Sequence, residues 1–136
     1  ILNTEFETLT TAITYSGYYN QKAKRIQEIA KWFEQQVKPP TREELLELKG
    51  IGPETADSIL LYAYNQASFV IDTYTKRIMI AHGFCTEKVT YNELKLLFED
   101  NLPKDYKVYN EFHALLVKHA KHHYSKKNSP KDPLLH

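Results

Sequence analysis

"LKGIGPETAD", residues 48–57, is the stretch on which the reading of this chain turns. Two of the chain's four glycines fall within three positions here, with a proline and an acid behind them. Before them, "TREELLEL" reads as a short helix opened by a capping box, Thr41 with Glu44. After them, "PETADSILLYAYN" reads as a strong helix with proline in its first turn. Two helices joined by so short a turn form a hairpin. Glycine admits backbone conformations closed to other residues and lets another molecule approach closely. The first turn of the second helix has N–H groups without intrahelical partners, at the positive end of the helix dipole. Such donors in a glycine turn make an anion site without any charged side chain. The plainer reading, in which glycine merely ends one helix and begins the next, would win for a single glycine. In L-x-G-I-G-P-x-[ST]-A every position contributes. Leu48 and Ile51 seal the hairpin, Gly50 and Gly52 bare the amides, and Ala56 permits close packing. The turn is therefore read as a phosphate holder.

Working outward, helical periodicity continues in both directions and the fold class is all-α. "TEFETLTTAITYSG" carries Phe6, Leu9 and Ile13 at helical spacing and ends at Gly17, a C-cap. "YNQKAKRIQEIAKWFEQQV" follows and is stopped by "KPP". "QASFVI" is a short extended link. "DTYTKRIMIAHG" has Asp72 as N-cap and Gly83 as C-cap, and Thr90 with Glu93 forms a second capping box before "LKLLFED". A last helix runs from about Asp105 to His123, and "SKKNSPKDPLLH" is a polar tail. These boundaries predict a helical domain over 1–124, with the helix-hairpin-helix at 42–65, and a C-terminal tail over 125–136.

A chain of 136 residues suits one domain with a real core, and its 42% hydrophobic and 26% charged residues are ordinary for a globular protein. No apolar run approaches the roughly 20 residues of a membrane span, and no signal peptide opens the chain. Cys85 is the single cysteine, which excludes disulfide scaffolds and multi-cysteine metal sites and fits a reducing compartment. Net charge is only +1. Locally, "KAKR" (Lys22 to Arg25) is basic, and residues 118–131 carry five lysines and three histidines without an acid. Either a polyanion-facing side or a solvated face with a basic tail accounts for this asymmetry. The chain starts at Ile1 inside an apolar-periodic segment, as though partway through a domain.

"LLELKGIGPETADSILLYA" resembles the helix-hairpin-helix of the base-excision DNA glycosylase superfamily that includes endonuclease III. "FVIDTYTKRI" is similar to the segment that follows it there, and "SGYYNQKAKRIQEIA" to an earlier one. The likeness implies the helical glycosylase fold, without the family's first helices. It implies that the turn from Lys49 through Gly50, Ile51, Gly52, Glu54 and Thr55 grips the backbone of double-stranded DNA carrying a flipped, damaged base. It also implies that Asp72 is the essential carboxylate, with a possible monovalent cation on the backbone carbonyls of Leu46, Leu48 and Ile51. In isolation Asp72 reads as an N-cap, and the hairpin at the matching distance is what favours the catalytic reading.

Bifunctional members carry a lysine in the hairpin's second helix, and Glu54 stands in its place; a carboxylate cannot form a Schiff base. Many members bear an iron–sulfur cluster on four cysteines, where this chain has His123, Pro130 and Pro133, so no cluster and no required cofactor is expected. These departures resemble the endonuclease III-like bacterial 3-methyladenine DNA glycosylases. "FHALLVKHAK" is similar to that branch's last helix, where Lys121 matches a lysine near the active site and Leu115 replaces a modified one. The expectation is a monofunctional, monomeric enzyme excising an alkylated purine in the bacterial cytoplasm, at the nucleoid. The alternatives are a non-catalytic DNA-binding hairpin module and a glycosylase for oxidised or mismatched bases. His119 and His123 invite a zinc reading, but a third ligand is not evident, and a solvated or phosphate-facing patch is preferred. Tyr15, Tyr18 and Tyr62 read as packing residues, and Trp32 as core.

Overall fold

The computed structural model describes residues 1–125 and 130–135. It is helical as expected, with no strand among the described residues. The chain divides into two compact units, Ile1–Ile51 and Gly52–His136.

The first unit holds α1 (Phe6–Ala12), α2 (Tyr19–Glu34) and α3 (Arg42–Leu46). α1 is shorter than the pattern predicts, giving way to a 3-10 turn at Thr14–Ser16 that Gly17 closes at φ 64°. Threonine is the reason. The hydroxyls of Thr10 and Thr11 both bond the Glu7 carbonyl at 2.8 Å, and Thr14 bonds that of Thr10 at 2.9 Å, contacts that loosen a helix of β-branched residues. α1 packs on α2, where Ala23 is wholly buried. α3 has both halves of its capping box: Glu44 N–H donates to Thr41 Oγ1 at 3.2 Å and Thr41 N–H to Glu44 Oε2 at 2.8 Å.

In the second unit α4 (Pro53–Ser58) continues into a π-helical turn over Ile59–Ala63, where the sequence predicts unbroken α-helix. The wider turn seats the adjacent Leu60 and Leu61 both in the core. Then come α5 (Thr73–Ala81), α6 (Tyr91–Asn101) and α7 (Tyr106–His123), with α5 packed along α7. Asp72, Thr90 and Asp105 cap these three helices through their side chains, and Gly83 at φ 74° ends α5. The extended link predicted at 66–71 runs through the middle of the core. Phe69, Val70 and Ile71 are buried with Leu61, Leu94, Phe98 and Tyr109. The Phe69 ring stacks on Phe98 at 4.3 Å and meets Tyr109 edge-on at 5.3 Å.

The described part of the expected tail is anchored. Asp132 is buried, and its Oδ2 accepts from His82 Nε2 (3.0 Å), His119 Nε2 (2.8 Å) and the Tyr124 hydroxyl (2.5 Å). Its Oδ1 accepts the Leu134 amide at 2.8 Å. Residues 126–129 of the basic run, with His136, lie outside the described residues. Burial alone would raise the Asp132 pKa, but the hydrogen bonds from Tyr124, His119, the Leu134 amide and His82 outweigh it and hold the carboxyl well below the usual range. Burial, then the bond to and charge of Asp132, push Tyr124 up to about 12. A depressed carboxyl stabilises the fold above its unfolded pKa, about 3.9, and loses that contribution as pH falls through the folded value. A raised phenol stabilises below its unfolded pKa, about 10, and loses that contribution as pH rises toward about 12. Asp132→Asn is therefore expected to cost about 2–4 kcal/mol at neutral pH. In thermal melts its deficit against the wild type shrinks below about pH 4, and that of Tyr124→Phe shrinks above about pH 10.

Candidate functional site

On the first unit's side of the G-I-G turn, glycine is required by the fold itself. Gly50 sits at φ 98°, and a Cβ there would lie 2.8 Å from Cδ of Arg25, whose side chain reaches it from α2. Ile51 is buried and its amide donates to the Leu48 carbonyl at 3.0 Å, so Ile51 offers packing and no free N–H. The Leu48 carbonyl keeps a second lone pair. Lys49 is exposed.

Gly52, which opens the second unit, is different. Its backbone is extended (φ −98°, ψ 178°), and a Cβ there would meet nothing within 4 Å. Nothing inside the protein demands glycine at this position. No side chain caps α4, and Glu54 and Thr55 in its first turn are exposed. Donors of a helix start are thus left open beside a residue without a side chain.

Asp72 stands at the head of α5. Its Oδ1 accepts the Thr75 amide at 2.7 Å, the cap that the sequence predicts. It also lines a cavity of about 230 Å³ together with Glu54, Ile71, Thr73, Lys76, Thr90, Tyr91 and Leu94. Two carboxylates and one ammonium from the starts of α4 and α5 share that space with Thr90 and Tyr91 from the start of α6. Lys76 Nζ donates to the Val89 carbonyl at 3.0 Å. Tyr62, half-exposed, has its hydroxyl pKa raised by burial and then by the charge of Asp72.

The second unit also holds an ionic set centred on the buried Lys95. Lys95 Nζ reaches Asp57 Oδ1 at 3.4 Å, donates to the Ser68 hydroxyl at 2.9 Å and pairs with Glu99. Ser68 in turn donates to Asp57 at 2.6 Å.

Residues 1–104 match the family described as HhH-GPD superfamily base excision DNA repair protein. The chain belongs to this superfamily. It is 45% identical over 133 residues to a putative DNA repair glycosylase of Methanocaldococcus jannaschii, covering 89% of this chain and 60% of that protein. With endonuclease III of Thermotoga maritima the identity is 34% over 102 residues, covering 71% and 48%. Among solved structures, a non-covalent endonuclease III–DNA complex superposes with a TM-score of 0.77 at 26% identity, over 95% of this chain and 60% of that one. H. pylori 3-methyladenine DNA glycosylase bound to 1,N6-ethenoadenine gives 0.73 at 31%, over 88% and 65%. The chain thus spans about half to two-thirds of the length of these relatives.

In this HhH-GPD chain Asp72 caps α5 as the sequence predicts, while several other residues differ from their sequence-based reading. Lys121 is exposed in the last turn of α7 and is not among the residues lining the Asp72 cavity. Tyr15 and Tyr18 are solvent-exposed rather than packed, because one lies in the 3-10 turn and the other in a left-handed bend before α2. His119 is engaged by Asp132 and His123 Nδ1 donates to the Pro130 carbonyl at 3.0 Å. No group of three or more His, Cys, Asp or Glu side chains among the described residues is arranged to hold a metal ion. No described helix is long and apolar enough to cross a membrane. Lys76, Tyr91 and the Asp57–Lys95 pair went unnoticed in the sequence, and Thr90 was read there only as a cap. The available signal was a charge at a core position, Asp57 between Ala56 and Leu60 and Lys95 between Leu94 and Phe98.

The two glycines separate in a stability measurement. Gly50→Ala is expected to cost about 1–3 kcal/mol, from the left-handed backbone and the clash with Arg25. Gly52→Ala should change the stability by no more than about 0.5 kcal/mol in denaturant titrations. Equal losses at the two positions would contradict this assignment.

Proposed function

We propose that this chain carries the DNA-gripping hairpin and reacting carboxylate of a monofunctional DNA glycosylase. The enzyme hydrolyses the N-glycosidic bond of an alkylated purine, of the 3-methyladenine kind, flipped out of double-stranded DNA. One observation carries the reading: Asp72 opens a cavity that it shares with Glu54, the residue standing where bifunctional members of the superfamily carry lysine. The likeness to a 3-methyladenine glycosylase structure supports the alkylated substrate.

The chemistry follows from charge. A base inside the stack is unreachable, so the nucleotide is extruded first. Departure of the base leaves positive charge on the sugar, and a fixed carboxylate in a small cavity stabilises that charge or orients the attacking water. The Thr75 amide holds one oxygen of Asp72 in place for this chemistry. Gly52, Glu54 and Thr55 offer α4's first turn to a phosphate, with Lys49 and Gly50 before them, and Lys121 adds positive charge from α7. A monovalent cation on the carbonyls of Leu46, Leu48 and Ile51 belongs to the same proposal, and no other cofactor is required. The enzyme acts as a monomer in the cytoplasm. A glycosylase for oxidised bases is the second reading, favoured by relatives named endonuclease III.

Free base released from alkylated duplex DNA tests the reading. Asn caps a helix about as well as Asp, so Asp72→Asn should fold and bind DNA normally. It should lose roughly a hundredfold or more in excision, because the charge facing the cationic sugar is gone. Equal excision by both proteins would reduce Asp72 to a cap.

Gly52→Val probes the grip. It should melt like the wild type, given the open space at that position, yet bind duplex DNA more weakly whatever its sequence, at fixed salt. Unchanged affinity would remove the hairpin from the interface. Borohydride should trap no covalent complex; if it does, Lys76 is the amine to replace first, since it lines the cavity.

A further inference from the structure

Residues 69–71 run through the core outside any helix, with no strand beside them among the described residues. Their backbone groups are met one at a time by side chains from two helices. The Phe69 amide donates to Glu99 Oε1 at 2.8 Å, and the Ile71 amide to the Tyr91 hydroxyl at 3.3 Å. Between them, His113 Nδ1 donates to the Val70 carbonyl at 3.2 Å; a carbonyl only accepts, so Nδ1 carries the proton. The next residue is Asp72.

Satisfying buried backbone groups is reason enough for some partner to exist. Two features go beyond that need. Tyr91 both holds the Ile71 amide and walls the cavity into which Asp72 opens. His113 both holds Val70 and packs edge-on against Tyr62 at 6.4 Å, the tyrosine whose hydroxyl senses the Asp72 charge. Glu99 is itself fixed by Lys95, which also ties Ser68, at the start of the link, to Asp57 of α4. The helix bearing Glu54 and the link leading to Asp72 are thereby tied to one ammonium.

We propose that Tyr91, Glu99 and His113 are positioning residues for Asp72, acting through the backbone of the link that precedes it. The proposal rests on the reading of Asp72 as the reacting carboxylate. A carboxylate displaced by about 1 Å can lose about a hundredfold in rate while the protein stays folded and DNA binding is unaffected. Glu99→Gln keeps the acceptor oxygen for Phe69 and should preserve function, whereas Glu99→Leu removes it.

The experiment compares Tyr91→Phe, Glu99→Leu, Glu99→Gln and His113→Ala with the wild type. It measures single-turnover excision from alkylated duplex DNA, Kd for the same duplex, and amide exchange at Ile71 and Thr75 by NMR. Tyr91→Phe and Glu99→Leu should slow excision by about tenfold or more, with Kd within about twofold. They should also accelerate exchange of the Thr75 amide, which reports the Asp72 carboxylate. His113→Ala should do the same, and Glu99→Gln should restore most of the rate. Folded variants that excise and exchange at wild-type rates overturn the proposal, as does a loss confined to Kd. Tyr91→Phe deletes a single oxygen and remains informative if Glu99→Leu or His113→Ala fails to fold. Absence of excision by the wild-type chain bears on the glycosylase reading alone, and exchange at Thr75 then decides whether these side chains hold Asp72.

Discussion

The Lys95 ammonium is the point on which the second unit's arrangement depends. It is buried with Asp57 and reaches Ser68 and Glu99, so that α4, the link and α6 meet at one charge. Removing one partner from such a set costs about 3–5 kcal/mol, yet replacing the whole set by well-packed apolar residues is often neutral. Its value therefore lies in placement more than in net stability. An apolar core of Leu61, Phe69, Leu94 and Phe98 would tolerate small slides of the link, while an ammonium with three fixed acceptors would not.

Placement matters because the cavity is assembled from helix starts. α4 brings Glu54, α5 brings Asp72 and Lys76, and α6 brings Thr90 and Tyr91. Helix starts are where backbone donors and capping side chains already gather. Asp72 uses one oxygen for that ordinary purpose while its side of the helix start also lines the cavity. The G-I-G turn shows a similar division of labour. Gly50 serves the protein, being left-handed and covered by Arg25, whereas Gly52 has neither constraint and leaves a helix start bare.

The segment after α7 is held by a different electrostatic device. The resemblance implies that cluster-bearing members of the superfamily use cysteines near this point. Here a buried carboxylate gathers His82 from α5's end, His119 and Tyr124 from α7, and the Leu134 amide. Desolvation opposes the charge, and four donors overcome it. The histidines that invited a zinc reading thus have a structural partner, with His119 on Asp132 and His123 on the Pro130 carbonyl.

The features that could be read from the residues alone are local. Capping boxes at Thr41 and Thr90, the Asp72 cap, Gly83 and the G-I-G turn were legible because each is decided within four or five residues by hydrogen bonds that the chain makes with itself. The pairing of the hairpin with Asp72 came instead from the family resemblance, which implies a carboxylate at that distance from the turn. Tertiary structure alone decided the rest. The π turn at Ile59–Ala63, in which the adjacent Leu60 and Leu61 are both buried, has no signal in the local sequence. Asp57 and Lys95 are distant in sequence and became a pair only when burial made an unpaired charge intolerable. Asp132 lies in a polar, proline-rich stretch that reads as tail, and only folding back onto His82 and His119 gives its carboxylate a place. Side chains that meet across tens of residues leave no periodic trace, because their partner is chosen by space and by the dielectric of the core, not by position along the chain.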